Sequence, residues 1–109
     1  MSDKHNSLED YLVAKFKELD STAHKVAGSG AGDKQKGDIS NKYCCVEAKI
    51  KHTQENIIVD WKKEWLKTND QMPINSKKFP IIVTENKYGC RFVTLTTEEF
   101  FKLLRESKL

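Results

Sequence analysis

The sequence predicts an α/β domain of three layers, in which a mixed β-sheet of about five strands is flanked by helices on both faces. Three observations predict this fold class. Apolar residues recur at helical spacing in three parts of the chain, short β-rich runs lie between them, and helices therefore alternate with strands. Such alternation favours a sheet that is only partly parallel. The 109 residues suffice for one domain, 1–109, with a single core.

Cap patterns mark the beginnings of the first and last helices. The first helix is predicted over residues 7–20, where Asn6 followed by Glu9 fits a helix cap with an acid three residues later. The last helix is predicted in "TTEEFFKLL", which opens with the same pattern at Thr96 and Glu99.

A further helix is predicted in the middle of the chain, from a cap at Asp60 to about Asn69. Its Trp61, Trp65 and Leu66 recur at helical spacing. The two tryptophans are therefore interpreted as core side chains.

Five β-rich runs are assigned to strands: "HKVA", "DIS", "YCCVEAKI", "FPIIVTE" and "CRFVTL". A glycine-rich loop, "GSGAGDKQKG", separates the first two runs. A turn at Asn41 and Lys42 joins the second run to the third, and the two are expected to form a hairpin. The last two runs flank the turn "NKYG".

The composition limits the class of protein. No apolar run reaches the roughly 18 residues that cross a bilayer, and the first residues lack the apolar segment of a signal peptide, so we expect a cytoplasmic protein. Cys44, Cys45 and Cys90 form no spaced pair and are expected to be reduced thiols. The formal net charge is +3, and the lysines lie in clusters that bind phosphate only if they surround a site.

Charged residues interrupt the apolar run "YCCVEAKI". Because side chains alternate along a strand, Glu47 and Lys49 share one face. A surface ion pair on an edge strand is one interpretation. A divalent cation site is the other, because Mg²⁺ is held by carboxylates from different segments, and Asp38 lies on the preceding strand. Lys49 would then stand beside the same point, where it can orient a water molecule and neutralise a phosphate.

These residues resemble a known family. "KGDIS" followed by "VEAKIK" looks like the D-(x)n-E-x-K signature of the PD-(D/E)XK nuclease superfamily, and "AGSGAG" looks like the serine-glycine segment of its archaeal-type and phage Holliday junction resolvases. The similarity extends to "WKKEWLK", "KFPIIVTE" and "FVTLTTEEFFKLL". The resemblance implies a restriction-endonuclease-like fold and metal-dependent cleavage of DNA, with Mg²⁺ as the cofactor and Mn²⁺ as a substitute.

The resemblance also implies roles for individual residues. Asp38 and Glu47 would be metal ligands, the Ala48 carbonyl a backbone ligand, and Lys49 the catalytic lysine. Asp38 follows a glycine where the superfamily name has a proline, as is common among such resolvases.

The family usually supplies a further acid from its first helix, and Glu9 matches that acid in order and spacing. Glu9 lies at the border of the apolar stripe of the helix, from which it could reach the sheet as a catalytic and metal-binding residue. It could equally serve only to cap the helix with Asn6. Glu18, at the other border of the stripe, is the weaker substitute.

Under the same interpretation, the glycine-rich loop and the end of the third strand contact DNA. The loop lets backbone N–H groups approach phosphate and adds positive charge. The residues expected to bind DNA are Ser29, Gly30, Lys34, Lys36, Lys51 and Gln54.

The predicted function is that of an endodeoxyribonuclease that resolves four-way, or Holliday, junctions by paired cuts. Because one site cuts one strand, we expect a homodimer, with the central helix or residues 79–93 as the interface. The alternatives are a nucleic-acid-binding module without chemistry, or a repair or restriction-like nuclease of the same fold.

Overall fold

The computed structural model describes residues 4–26, 38–72 and 76–107, and these segments form a mixed α/β fold. None of the helices in these ranges has the length and apolar content to span a membrane. The elements in chain order are α1 (Lys4–Lys17), β1 (His24–Lys25), β2 (Ile39–Ser40), β3 (Cys44–Lys51), a π-helical segment (Trp61–Trp65), α2 (Leu66–Asp70), β4 (Phe79–Asn86), β5 (Arg91–Thr94) and α3 (Thr97–Ser107).

The principal sheet has three strands in the order β3-β4-β5. β3 and β4 run parallel, with Glu47 paired with Ile82 and Lys49 paired with Thr84. β4 and β5 are antiparallel, with Ile82 paired with Thr94. The turn between them uses Gly89 at a φ of 80°, a conformation that glycine adopts without steric cost. The sheet is therefore only partly parallel, as the sequence predicts.

The first two strands form a separate antiparallel ladder, in which His24 pairs with Ser40. β2 nevertheless lies beside β3, because the Asp38 N–H donates a hydrogen bond to the Val46 carbonyl at 2.6 Å. The single sheet of about five strands stays a prediction, since the described residues give one ladder of three strands and one of two.

α1 covers one face of the principal sheet. Leu8 and Leu12, four residues apart on the helix, are buried against Val46, Ile81 and Val83. These strand residues are even-numbered on β3 and odd-numbered on β4, as the parallel register requires for one face. Burial of this apolar face is the main stabilising contribution of α1.

The opposite face contacts the π-helical segment and α2. The Cys45 thiol donates a hydrogen bond to the Thr68 carbonyl, with 3.7 Å between sulfur and oxygen. At the other end of β3, the Lys51 ammonium lies 3.1 Å from the Glu64 carboxylate. Helical elements therefore contact both faces of the sheet.

The predicted helices are confirmed with changes at their ends and in their burial. α1 begins at Lys4, so Asn6 lies inside the helix and the predicted cap at Asn6 is wrong. Two other predicted caps are confirmed, because the side chains of Asp60 and Thr96 accept hydrogen bonds from backbone N–H groups three residues later. Trp61 is 61% exposed, so its assignment to the core is wrong.

Asn41 closes the turn between β2 and β3. Its buried side-chain amide donates hydrogen bonds to the carbonyls of Ile39 and Cys44, at 3.0 and 3.1 Å. Its side-chain oxygen accepts from the N–H groups of Tyr43 and Cys44, both at 2.8 Å. One side chain therefore satisfies four backbone groups of the predicted turn.

Asp20, just after α1, ties that helix to the same turn. Its carboxylate accepts hydrogen bonds from the Thr22 hydroxyl, at 2.6 Å, and from the N–H groups of Thr22 and Lys42. The Thr22 hydroxyl is the main cause that holds the pKa of Asp20 below its usual value. The turn and the end of α1 are thereby held together.

We expect Asn41→Ala to lower the free energy of unfolding by about 2–4 kcal/mol, because it leaves buried backbone groups without partners. Lys42→Ala is the matched control, since Lys42 contributes its backbone N–H to the turn and exposes its side chain. That control is expected to change stability by less than about 0.5 kcal/mol. Urea denaturation measures both, and equal effects of the two substitutions would contradict the role given to Asn41.

Candidate active site

Glu47 and Lys49 lie on β3, on the face opposite to α1. The Glu47 residue is 8% exposed, whereas the Lys49 side chain is 40% exposed. The Lys49 ammonium lies 3.3 Å from one carboxylate oxygen of Glu47. The pair therefore has a buried acid and a lysine that solvent can reach.

Asp38 approaches this pair from the β2 side. Its backbone N–H donates to the Val46 carbonyl, and its side-chain Oδ2 accepts from the Ala48 N–H at 2.8 Å. The Asp38 carboxylate is thus fixed against β3 at the residues on either side of Glu47. Because the N–H and C=O of one strand residue point to the same side, the Ala48 carbonyl also points toward the Asp38 side.

The electrostatics of Glu47 show that the two acids interact. Burial raises the pKa of Glu47, and the negative charge of Asp38 raises it further. Lys49 and Lys67 act in the opposite direction, but the net shift is upward. The two lysines therefore do not offset the effects of burial and of Asp38 on ionised Glu47. A cation beside the carboxylate would stabilise its ionised form.

The donor set fits a hard divalent cation. It offers two carboxylates and one backbone carbonyl oxygen, and Mg²⁺ is usually held by one or two carboxylates together with water and substrate oxygens. Among the described residues, no group of three or more His, Cys, Asp and Glu side chains is placed to hold a metal. Asp38 and Glu47 would thus be the protein's acidic ligands, with the Ala48 carbonyl beside them.

The two helix-one acids differ in position. Glu9 is half-buried on α1, next to the buried Leu8, and Glu18 is exposed just beyond the end of the helix. Glu9 does not join Asp38 and Glu47 in a ligand group of three. Its catalytic and metal-binding role stays a prediction.

The predicted DNA-binding residues are only partly described. Ser29, Gly30, Lys34 and Lys36 lie outside the described residues, and their roles stay predictions.

Lys51 and Gln54 are both in the described part of the chain. Lys51 has a mostly buried side chain that pairs with Glu64 of the π-helical segment, so the Lys51 ammonium is not free to contact DNA. Gln54 has an exposed side chain in the turn that follows β3. Of these two, Gln54 is therefore the more accessible to DNA.

Two residues near the acids, Lys67 and Glu64, were not predicted from the sequence. Lys67, on α2, acts on the charge of Glu47, and Glu64 holds Lys51. Their spacing of three residues on a helix was the available signal, because residues three apart face the same way. The spacing alone does not show which strand the two side chains face; that depends on the packing of the helical segment on β3.

A second ionic cluster occupies the α1 face at the far end of the sheet. The buried Glu85 carboxylate accepts hydrogen bonds from the His52 ring and from Arg91, whose Nε lies 2.9 Å away. The Arg91 guanidinium also stacks 4.2 Å from the centre of the Tyr11 ring. Burial by itself raises the pKa of Glu85, but the two donors outweigh burial and the net shift is downward. This cluster fastens α1 to β4 and β5.

The raised pKa of Glu47 predicts how stability depends on pH without metal. The folded state holds the proton more tightly than the unfolded state, so this contribution to stability is present at low pH and lost as pH rises through the folded pKa. Glu47→Gln stays neutral. We therefore expect Glu47→Gln to have a higher melting temperature than the parent at pH 7 in the presence of a chelator. The difference between the two proteins should be smaller near pH 4.

Thermal denaturation at both pH values, with and without Mg²⁺, measures this effect. Mg²⁺ is expected to raise the melting temperature of the parent but not that of Glu47→Gln, because the substitution removes one of the two carboxylates that would hold the ion. Asp10→Asn is the control, since Asp10 pairs with Lys25 in an exposed position away from the site. A Glu47→Gln protein less stable than the parent at pH 7 would contradict the prediction.

Comparison with known proteins adds no family to these observations: no protein-family model, no curated protein and no solved structure matches the chain.

Proposed function

We propose that this protein is a metal-dependent endodeoxyribonuclease that hydrolyses phosphodiester bonds in DNA. The observation that carries the proposal is the convergence of Asp38, Glu47 and Lys49 on one side of β3. Burial and the charge of Asp38 both raise the pKa of Glu47, and a divalent cation beside the two acids would offset the cost of ionising Glu47. The restriction-endonuclease-like three-layer fold is part of the same proposal.

Each residue has a distinct role in this chemistry. Asp38 and Glu47 would hold Mg²⁺, or Mn²⁺ in its place, and the ion would supply a Lewis acid for the phosphate. The hydrogen bond from the Ala48 N–H keeps the Asp38 carboxylate in position. Lys49 neutralises the charge that develops on the phosphate and orients the attacking water. Its partly exposed side chain allows a phosphate to approach.

Charge favours a nuclease over a binding module without chemistry. Carboxylates repel DNA unless a cation intervenes, so a protein that only binds DNA gains nothing from placing Asp38 and Glu47 beside a phosphate. Two lysines near the acids, Lys49 and Lys67, are suited to the DNA backbone rather than to base edges. We therefore propose recognition by DNA shape, with branched DNA as the preferred substrate.

Two symmetric cuts are needed to resolve a four-way junction, and one site cuts one strand. We therefore propose that the enzyme acts as a homodimer with two-fold symmetry. A repair or restriction-like nuclease of the same fold is the alternative within the same chemistry.

Lys49→Ala is expected to reduce turnover by about 10²–10⁴-fold, because a group that orients water and neutralises charge acts mainly in the transition state. Binding of DNA should change little. Cleavage of a labelled four-way junction under single-turnover conditions measures the rate, and Lys42→Ala, an exposed lysine in the β2–β3 turn, is the control. Full activity of Lys49→Ala would remove Lys49 from the mechanism.

Asp38→Asn and Glu47→Gln are each expected to abolish cleavage that depends on Mg²⁺. In a chelator, both variants should bind branched DNA as tightly as the parent or more tightly, because a negative charge beside phosphate is gone. Electrophoretic mobility shifts at fixed salt measure this binding. Weaker binding of a folded variant would instead indicate a structural role for the acid.

A further inference from the structure

A buried ion pair lies on the same face of β3 as the candidate site. Glu47, Lys49 and Lys51 are two residues apart along the strand, so their side chains share the face opposite to α1. The Lys51 ammonium lies 3.1 Å from Oε2 of Glu64, which belongs to the π-helical segment. The side chains of Lys51 and Glu64 are only 17% and 13% exposed. Lys51 is thus turned toward a protein carboxylate rather than toward solvent.

Lys49 and Lys51 differ in accessibility although they occupy equivalent positions on one strand. Among the described residues, Lys49 pairs with Glu47 and keeps a side chain that is 40% exposed, whereas Lys51 pairs with Glu64 and is mostly covered. A lysine has a flexible four-carbon stem, so its ammonium can reach solvent along an apolar surface when no partner holds it. The pairing with Glu64 therefore draws Lys51 under the helical segment.

The backbone of Glu64 is held in place by contacts that do not involve Lys51. Its N–H donates a hydrogen bond to the Asp60 carbonyl at 2.8 Å, and its carbonyl accepts one from the Thr68 hydroxyl at 2.7 Å. Thr68 is fully buried, and its own carbonyl accepts from the Cys45 thiol of β3. Glu64 thus stands over the strand independently of the lysine, and the flexible Lys51 side chain adjusts to it.

Stability alone does not account for this pair. Removing two charges from water has a large cost, which their attraction offsets only when further hydrogen bonds satisfy the remaining polar atoms. Oε1 of Glu64 is buried and accepts no hydrogen bond from the described residues. In the cluster that fastens α1 to the sheet, by contrast, each oxygen of the Glu85 carboxylate has a donor, from His52 and from Arg91. The Lys51–Glu64 pair is therefore the less completely compensated of the two.

We propose that Glu64 is a positioning residue that withholds Lys51 from the DNA backbone and so limits how tightly the site binds DNA. The inference rests on the proposed nuclease function and adds a control on affinity to it. A lysine contact to a backbone phosphate is present in both substrate and product. Such uniform binding does not speed the chemical step, and it slows the release of cut DNA. Neutralising Lys51 inside the protein therefore favours turnover.

Glu64→Gln keeps the shape of the side chain and removes its charge, which releases Lys51 toward solvent. In a chelator, we expect this variant to bind both linear and branched DNA about 3–10-fold more tightly than the parent at moderate salt. The slope of log affinity against log salt should be steeper by about 0.9, which corresponds to one added phosphate contact. Fluorescence anisotropy at several salt concentrations measures both quantities.

Asp10→Asn is the matched control, because it changes the net charge equally at an exposed pair with Lys25 on α1. It should alter neither the affinity nor the salt slope. With Mg²⁺, Glu64→Gln should keep the single-turnover cleavage rate of the parent and show a lower steady-state rate, since release of the product becomes slower.

A second variant combines Lys51→Met with Glu64→Leu and replaces the pair by apolar side chains of similar size. Such replacements often preserve or raise stability, so this protein is expected to fold even if Glu64→Gln does not. Because Lys51 is withheld in the parent, the double variant should bind DNA with the same affinity and salt slope as the parent. Thermal denaturation establishes that each variant is folded.

The possible results separate this proposal from the nuclease function. A folded Glu64→Gln protein that binds DNA no more tightly than the parent overturns the proposal alone, and so does a loss of its single-turnover rate. Weaker binding and a shallower slope in the double variant would show that Lys51 already contacts DNA in the parent, which also overturns it. A parent that binds DNA and never cleaves it overturns only the nuclease function, because binding is measured without metal. A parent that neither binds nor cleaves DNA overturns both.

Discussion

The turn from Asn41 to Tyr43 is the constraint on which the candidate site depends. The side chain of Asn41 satisfies four backbone groups at once, and Asp20 holds the adjacent Lys42 N–H. Because that turn leaves β2 little freedom, Asp38 arrives beside Ala48 rather than at a variable distance from it. The acids are brought together by a turn that is hydrogen-bonded around the buried Asn41 and carries no reactive group of its own.

Two buried carboxylates on neighbouring strands, Glu85 and Glu47, show how hydrogen-bond donors shift the pKa of a buried acid. Glu85 receives hydrogen bonds from His52 and Arg91, and its pKa lies below the usual value despite burial. Glu47 is buried beside a second acid, Asp38, and the charges of Lys49 and Lys67 do not outweigh these two effects, so its pKa lies above the usual value. The first arrangement is complete within the protein. The second leaves negative charge for an outside cation to neutralise, and this difference separates a structural ion cluster from a candidate site.

The positions of the three candidate site residues could be predicted from local sequence patterns. Alternation along "YCCVEAKI" put Glu47 and Lys49 on one face, and the short turn implied that Asp38 lies near them. Helical spacing identified Trp61 as part of an apolar side, but it could not show that Trp61 is 61% exposed in the described fold. The Lys51–Glu64 pair was unpredictable for a related reason, since it depends on where a distant helix crosses the sheet.

The parallel pairing of β3 with β4 also determines the order in which the chain can fold. β4 and β5 are joined by a short turn and can pair early, because closing a small loop costs little entropy. β3 can pair with β4 only after the crossover through the π-helical segment and α2 has folded back over the sheet. Until then the nascent chain exposes the edge of β4 to other strands. The contacts between β3 and α2 therefore form late, and slow closure of the crossover is the point at which misassembly competes with folding.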